Sequence, residues 1–281
     1  MPPLHRYLGN PILTAIGRLF FGSKCRDFHC GLRGFNRDAI LSLHLDSPGM
    51  EFASEMVVKA TIFKLRIAEV PTTLSPDGRN RPPHLRSWRD GWRHLRLLLL
   101  FSPRWLFLYP GLAIFLLGLT GTLILLAGDF AVGDITFEER TMVITAAGIN
   151  VGFQAMLFWI VANTIGIQRG FLPHYTNFVR FRRMIHLERG LALGTALILL
   201  GFAAFIGALF EWSAVGFGPL IGGKATRWVI ISGTTVMLGT QVLYGSFLLY
   251  VLEYRAAAGA GRSSDVPSPL PISSFSRSLG Q

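Results

Sequence analysis

The sequence predicts a mainly α membrane protein, in which four transmembrane helices follow an incomplete α/β segment and an interfacial amphipathic helix. Three observations carry this prediction. Four apolar runs each reach the roughly 20 residues that a helix needs to cross a bilayer. Charged residues make up 15% of the chain, with a mean hydropathy of +0.44, whereas soluble domains hold ~25%. The cations crowd the first third, where 16 of the 27 Lys and Arg precede Trp105 against 8 acidic residues.

Residues 1–85 have the pattern of an incomplete α/β unit. Leu4, Leu8, Ile12, Ala15, Ile16, Leu19 and Phe20 give a helical apolar face, with an interruption expected near Pro11. Residues 31–35 fit a short strand, 38–45 a helix beginning at Asp38, 52–63 a helix, and 66–70 a strand closed by Pro71. Two short strands cannot build an independent parallel sheet, so this unit is expected to be one part of a larger one. Residues 86–105 place Trp88, Trp92, Leu95 and Leu99 on one helical face and Arg89, Arg93 and Arg96 beside it, the pattern of a helix lying in the headgroup plane. Pro103 separates it from the first span.

The spans are predicted at 106–128, 142–167, 190–210 and 228–252, within a membrane domain of 106–254. Asp129, Asp134, Glu138 and Glu139 dominate the first connector, and Arg169, Arg180, Arg182, Arg183 and Arg189 the second. The positive-inside rule makes the second connector cytoplasmic, which returns both termini to the cytoplasm and predicts a multi-pass protein of the inner (plasma) membrane. Gly111, Gly118, Gly121, Gly148, Gly194, Gly201, Gly207 and Gly239 should permit close helix approach. Asn150, Gln154, Asn163 and Gln241 are expected to hydrogen-bond between helices, and no carboxylate or lysine inside a span suggests an ion path. Residues 255–281, rich in Ala, Gly, Ser and Pro, are predicted to be a disordered cytoplasmic tail.

A basic surface beside apolar helices suits anionic headgroups or phosphorylated substrates. No nucleic-acid motif accompanies the charge, so nucleic acid is not an expected partner. Cys25 and Cys30 fit no zinc or redox spacing and are read as reduced thiols, and the start of the chain lacks a signal-peptide pattern.

Three motifs occur in order: DFHCGLRGFNRDAI at 27–40, PGMEFASEMVVKA at 48–60 and IAEVPTTLSPDGRNRPPHLRSW at 67–88, followed by the basic aromatic helix and the spans. In this order they resemble the C-terminal half of membrane-bound family 2 glycosyltransferases, of the dolichyl-phosphate mannosyltransferase-like or polyprenyl-phosphate glycosyltransferase kind. That family has a nucleotide-binding first half, with an Asp-x-Asp motif holding Mg²⁺ or Mn²⁺ against the donor diphosphate. No Asp-x-Asp occurs in this chain. Met1 then reads as an internal methionine of a longer frame, and the chain as a fragment expected to be inactive alone, with Mg²⁺ or Mn²⁺ and a nucleotide sugar belonging to a full-length parent and no metal site here.

The resemblance places Asp27 near the acceptor, with Gly31, Arg33 and Phe35 behind it. A polyprenyl phosphate is already an anion, so Asp27 need not act as a strong base; it could orient the acceptor or an arginine, or simply cap a turn. Arg33 matches the family element and offers a planar fork for phosphate, while Arg37 is read as a solvated helix-start residue. Glu51 and Glu55, four apart on one helical face, could serve the acceptor site, or form an exposed pair supporting Lys59. Arg79, Arg81, His84 and Arg86 occupy a segment where the resemblance implies a loop closing over the donor diphosphate; a patch binding anionic lipid explains the same charges.

The function so implied is sugar transfer from a nucleotide donor to a polyprenyl-phosphate acceptor. Membrane lipids are the other expected partners, and self-association is left open. The alternative is a non-catalytic four-helix protein assisting lipid-linked sugar assembly or translocation.

Overall fold

The computed structural model describes residues 9–73, 87–214, 216–218 and 224–263. The described residues form nine α-helices and one β-hairpin. α1 (Asn10–Phe21), α2 (Arg37–Leu41), α3 (Phe52–Ile62) and α4 (Ser87–Leu100) make a small membrane-proximal unit. α5 (Tyr109–Ala127), α6 (Glu139–Gln168), α8 (Leu187–Ala214) and α9 (Lys224–Ser263) are the long apolar helices, and α7 (Thr176–Met184) lies between α6 and α8.

Pro11 starts α1 rather than interrupting it. It stands in the first turn, where its missing N–H would have had no partner, and Gly22 at φ +66° ends the helix. The inward face is shifted from the one expected: Leu13, Ile16, Phe20 and Phe21 pack inward, while Ile12 and Leu19 are exposed. At Gly17 a Cβ would collide with the Phe28 ring, so the glycine admits Phe28 to the core. That core joins Cys25, Phe28, Val57, Val58, Leu97, Leu98, Phe101 and, from beyond α6, Leu172.

The strands expected at 31–35 and 66–70 do not form; both stretches are without regular structure. A strand requires a ladder partner for its N–H and C=O groups, and neither stretch has one among the described residues. The helix expected at 38–45 is shorter, because Asn36 caps it by accepting from the Ala39 N–H at 3.1 Å and it gives way after Leu41, ahead of His44 at φ +46°. The strands that do form are β1 (Phe130–Val132) and β2 (Ile135–Phe137), an exposed antiparallel hairpin in the first connector. Its two-residue loop, Gly133 at φ +61° and Asp134, is a hairpin signal that the charge reading of this connector passed over.

Four helices are long and apolar enough to cross a membrane, Arg104–Ala127, Glu139–Gln168, Leu187–Ala214 and Ala225–Tyr254, each within a few residues of its predicted span. The protein is a multi-pass membrane protein, and outward side chains such as Leu117, Ile144, Leu199 and Phe210, all highly exposed, form its lipid-facing belt. The first span opens with a π-helical turn, Arg104–Leu108. Pro110 follows it and has no N–H to return to the Leu106 carbonyl, which favours the wider ladder there. α9 continues beyond its span to Ser263, through the good helix formers at 256–258, so the predicted tail begins as helix; residues 264–281 lie outside the described residues.

The helices pair closely as α5 with α6 and α8 with α9, and the glycines are the reason. A Cβ on Gly152 would stand 2.5 Å from the Gly111 carbonyl, and one on Gly239 would stand 2.7 Å from the Gly194 carbonyl. Gly207 meets nothing within 4 Å and does not belong to this set. The span amides do not act as expected. Asn150 and Asn163 donate to the carbonyls four residues back on their own helix, those of Ala146 and Trp159, because that acceptor is always within reach. The side-chain bond across the α5–α6 pair is Thr122 to Thr145, 2.9 Å between hydroxyls. At one end of the bundle Arg227 at the start of α9 pairs with Asp129 at 2.5 Å.

Candidate active site

The first motif forms a loop that α1 delivers and three anchors hold. Ser23 accepts from the Cys25 N–H and from Thr61 of α3. Glu69 accepts from the Arg26 N–H at 2.7 Å, tying the segment after α3 to the loop, and that bond holds the Glu69 carboxyl below its usual range. Phe28, 1% exposed, plugs the core. Burial of this kind is worth about 3–5 kcal/mol for a phenylalanine. Because Phe28 shares its core with Leu98 and Phe101 at the end of α4 and with Leu172 after α6, the loop sits at the foot of the spans.

Asp27 is exposed, and its Oδ1 accepts from the His29 N–H at 2.8 Å. The carboxylate thus shapes its own turn and still faces outward. Arg33 is occupied: Nε, Nη1 and Nη2 donate to the carbonyls of Cys30, Ala53 and Phe28 at 2.5–2.7 Å. Its fork braces the loop against α3. Glu55 and Lys59 form a buried pair, 2.7 Å apart with both side chains 3% exposed. Glu55 also accepts from the Asp46 and Ser47 N–H groups, and Lys59 donates to the His44 carbonyl. Burial opposes ionisation of Glu55, but Lys59 and these N–H groups overturn it and hold the carboxyl below its usual range. The Glu55–Lys59 step exists, inside the protein rather than on its surface. Glu51 starts α3 apart from that pair, with a buried Oε2 that has no protein partner. Arg79, Arg81, His84 and Arg86 lie outside the described residues.

The structure adds a cluster that sequence reasoning missed. Ser54 Oγ, 1% exposed, lies 2.8 Å from His94 Nδ1 and 3.3 Å from His29 Nδ1, and the two rings meet edge to face at 4.5 Å. A hydroxyl has one proton, so Ser54 can donate to only one imidazole and must accept from the other. Burial, and then the neighbouring His94, lower the His29 pKa to about 4 against the pull of Asp27. Burial likewise lowers that of His94, opposed by Glu51 and Asp90, so both rings are neutral near pH 7. His29 Nε2 is buried without a partner. The signals were present: His29 stands inside the first motif, and Asp90 and His94 are four apart on the helix face turned from Trp88 and Trp92.

α4 therefore has two working sides. Asp90, His94, Leu97 and Leu98 face the domain, while Trp88 and Trp92 are 87% and 60% exposed, on the side expected to meet headgroups. Among the described residues no three His, Cys, Asp or Glu side chains converge as a metal site.

Residues 160–253 match the model of the glycosyltransferase family 2 C-terminal transmembrane region. The chain is also 36% identical over 250 residues to the low-salt glycan biosynthesis hexosyltransferase Agl6 of Haloferax volcanii, an alignment covering 89% of this chain and 59% of that protein. The chain thus spans well under two thirds of the length of this curated relative. No solved structure matches it. Together with the three motifs at 27–40, 48–60 and 67–88, these likenesses support a resemblance of the chain to the C-terminal part of membrane family 2 glycosyltransferases.

Proposed function

We propose that the chain supplies the acceptor side and the membrane anchor of a hexosyltransferase that moves sugar from a nucleotide sugar to a polyprenyl phosphate. The observation that supports this most is the position of the Asp27 loop. Its core residue Phe28 packs on α4 and on the segment leaving α6, so an outward carboxylate stands at the foot of the spans, where the phosphate of a lipid-borne acceptor would lie. Asp27 would orient the acceptor phosphate through a neighbouring cation or a proton rather than remove one, because the phosphate is already ionised. The neutral His29–Ser54–His94 cluster fixes the turn that Asp27 belongs to. Arg79, Arg81, His84 and Arg86 are proposed to serve the donor diphosphate in a longer parent, which would also hold the metal and nucleotide.

The test is a titration of the 281-residue chain in nanodiscs with undecaprenyl phosphate or with the free polyprenol, followed by tryptophan fluorescence. Saturable binding at least tenfold tighter for the phosphate is expected. Equal binding of the two would overturn the acceptor reading, and sugar transfer by this chain alone would overturn the division of labour. The charge asymmetry of the connectors further supports an inner-membrane protein with cytoplasmic termini. An impermeant thiol reagent on intact cells should label a cysteine at 134 and spare one at 180; the reverse pattern would invert the topology.

A further inference from the structure

We infer that α7 carries a binding site for an anionic phospholipid headgroup of the bilayer leaflet it rests on. The helix belongs to the connector between two spans, Glu139–Gln168 and Leu187–Ala214, so both its ends are tethered at one membrane surface. With 9 residues, TNFVRFRRM, it is too short and too polar to cross. It must lie along the surface.

One side of α7 is fixed to the bundle. Phe178 packs edge to face on Trp159 of α6 at 5.5 Å and joins Ile160 and Leu249 in a buried cluster. Arg182, 8% exposed, reaches Glu253 of α9 at 2.8 Å and donates to the Ile185 carbonyl at 2.9 Å. Ahead of the helix, Arg104 of the first span stacks over Tyr175 at 4.7 Å. Because of these anchors α7 cannot turn its other side inward.

That other side is chemically particular. Arg180 and Arg183, three apart and both exposed, are neighbours on the helix surface. Neither forms an ion pair among the described residues. They line a cleft of about 550 Å³ with His174, Thr176, Val179 and Met184. Two guanidinium forks, a hydroxyl and an imidazole thus surround an apolar wall. A phosphate offers the acceptor oxygens that the forks fit. The attached acyl chains find Met184, 68% exposed, and Phe181, 43% exposed, on the same stretch of surface. Like charges held this close repel each other, and an anion at the headgroup level relieves that repulsion. A phospholipid supplies the anion and the apolar chain together.

The site does not depend on transferase chemistry, so it can fail or stand apart from the proposed function. The experiment is native mass spectrometry of the purified 281-residue chain, released from detergent with phosphatidylglycerol or phosphatidylcholine titrated in. Phosphatidylglycerol should be retained in preference. A headgroup contact of this type is worth about fivefold in affinity per arginine, so Arg180→Gln with Arg183→Gln should weaken retention roughly 25-fold, with helical circular dichroism unchanged. Lysine at both positions should restore most of it, since the charge persists. Equal retention of the two lipids would overturn the inference, as would unchanged phosphatidylglycerol binding in the double glutamine variant. Stoichiometric displacement of phosphatidylglycerol by undecaprenyl phosphate would also overturn it, reassigning α7 to the acceptor.

Discussion

Replacing Glu55 by alanine tests whether this glutamate is a scaffold residue or an acceptor-site residue. The structure makes it half of a buried ion pair, 2.7 Å from Lys59 with both side chains 3% exposed, and the acceptor for two backbone N–H groups of the 42–48 loop. Removing one partner of such a pair leaves an uncompensated buried charge, which costs about 3–5 kcal/mol, and orphaned N–H groups add to it. Val57 and Val58, on the same turns of α3, are buried at 8% and 0% exposure, so their amides report the loss. At 1.4 kcal/mol per tenfold, their protection from hydrogen exchange in nanodiscs should fall by about 10²–10⁴-fold. Glu55→Gln with Lys59→Met removes both charges while keeping an acceptor for the loop, and it should recover most of the protection. If Glu55→Ala leaves α3 protected, or if the double variant is as damaged as the single, the scaffold assignment fails and Glu55 returns to the acceptor site.

Two further expectations concern acid and packing. The folded pKa of His29, lowered from 6.5 to about 4, and the lowered pKa of His94 mean that the unfolded chain binds more protons in this range. Stability should therefore be complete above about pH 7 and decline as pH falls from 6.5 toward 4, by about 3 kcal/mol at most from His29 because its ring is only part-buried. A thermal midpoint by tryptophan fluorescence that stays flat between pH 7.5 and 4.5 would contradict the buried neutral pair. In the bundle, Gly152→Ala places a methyl 2.5 Å from the Gly111 carbonyl and from the Phe115 nitrogen, both backbone, so α5 and α6 must separate at a cost of about 1–3 kcal/mol. Gly207→Ala meets nothing and should leave the thermal midpoint in micelles unchanged; equal effects of the two would refute the close-packed seam.

The spans are legible in the residues alone, because crossing a bilayer is a matter of local length and apolarity, and each helix satisfies its own backbone hydrogen bonds. The sequence also foretold the helix Ser87–Leu100, since the stripe of Trp88, Trp92, Leu95 and Leu99 is read off at helical spacing. The three motifs carried the resemblance to membrane family 2 glycosyltransferases, which the likeness of the spans supports. The remaining features depend on contacts between distant parts of the chain. Residues 31–35 and 66–70 have strand-like composition, but a strand exists only when another segment accepts its hydrogen bonds. The donors of Arg33 look like a phosphate fork until the carbonyls of Phe28, Cys30 and Ala53 converge on them. His29, Ser54 and His94 meet across 25 and 40 residues of chain, and no local period encodes such a meeting. Packing of Phe28 against Leu98 brings it about, and burial then sets both imidazoles neutral.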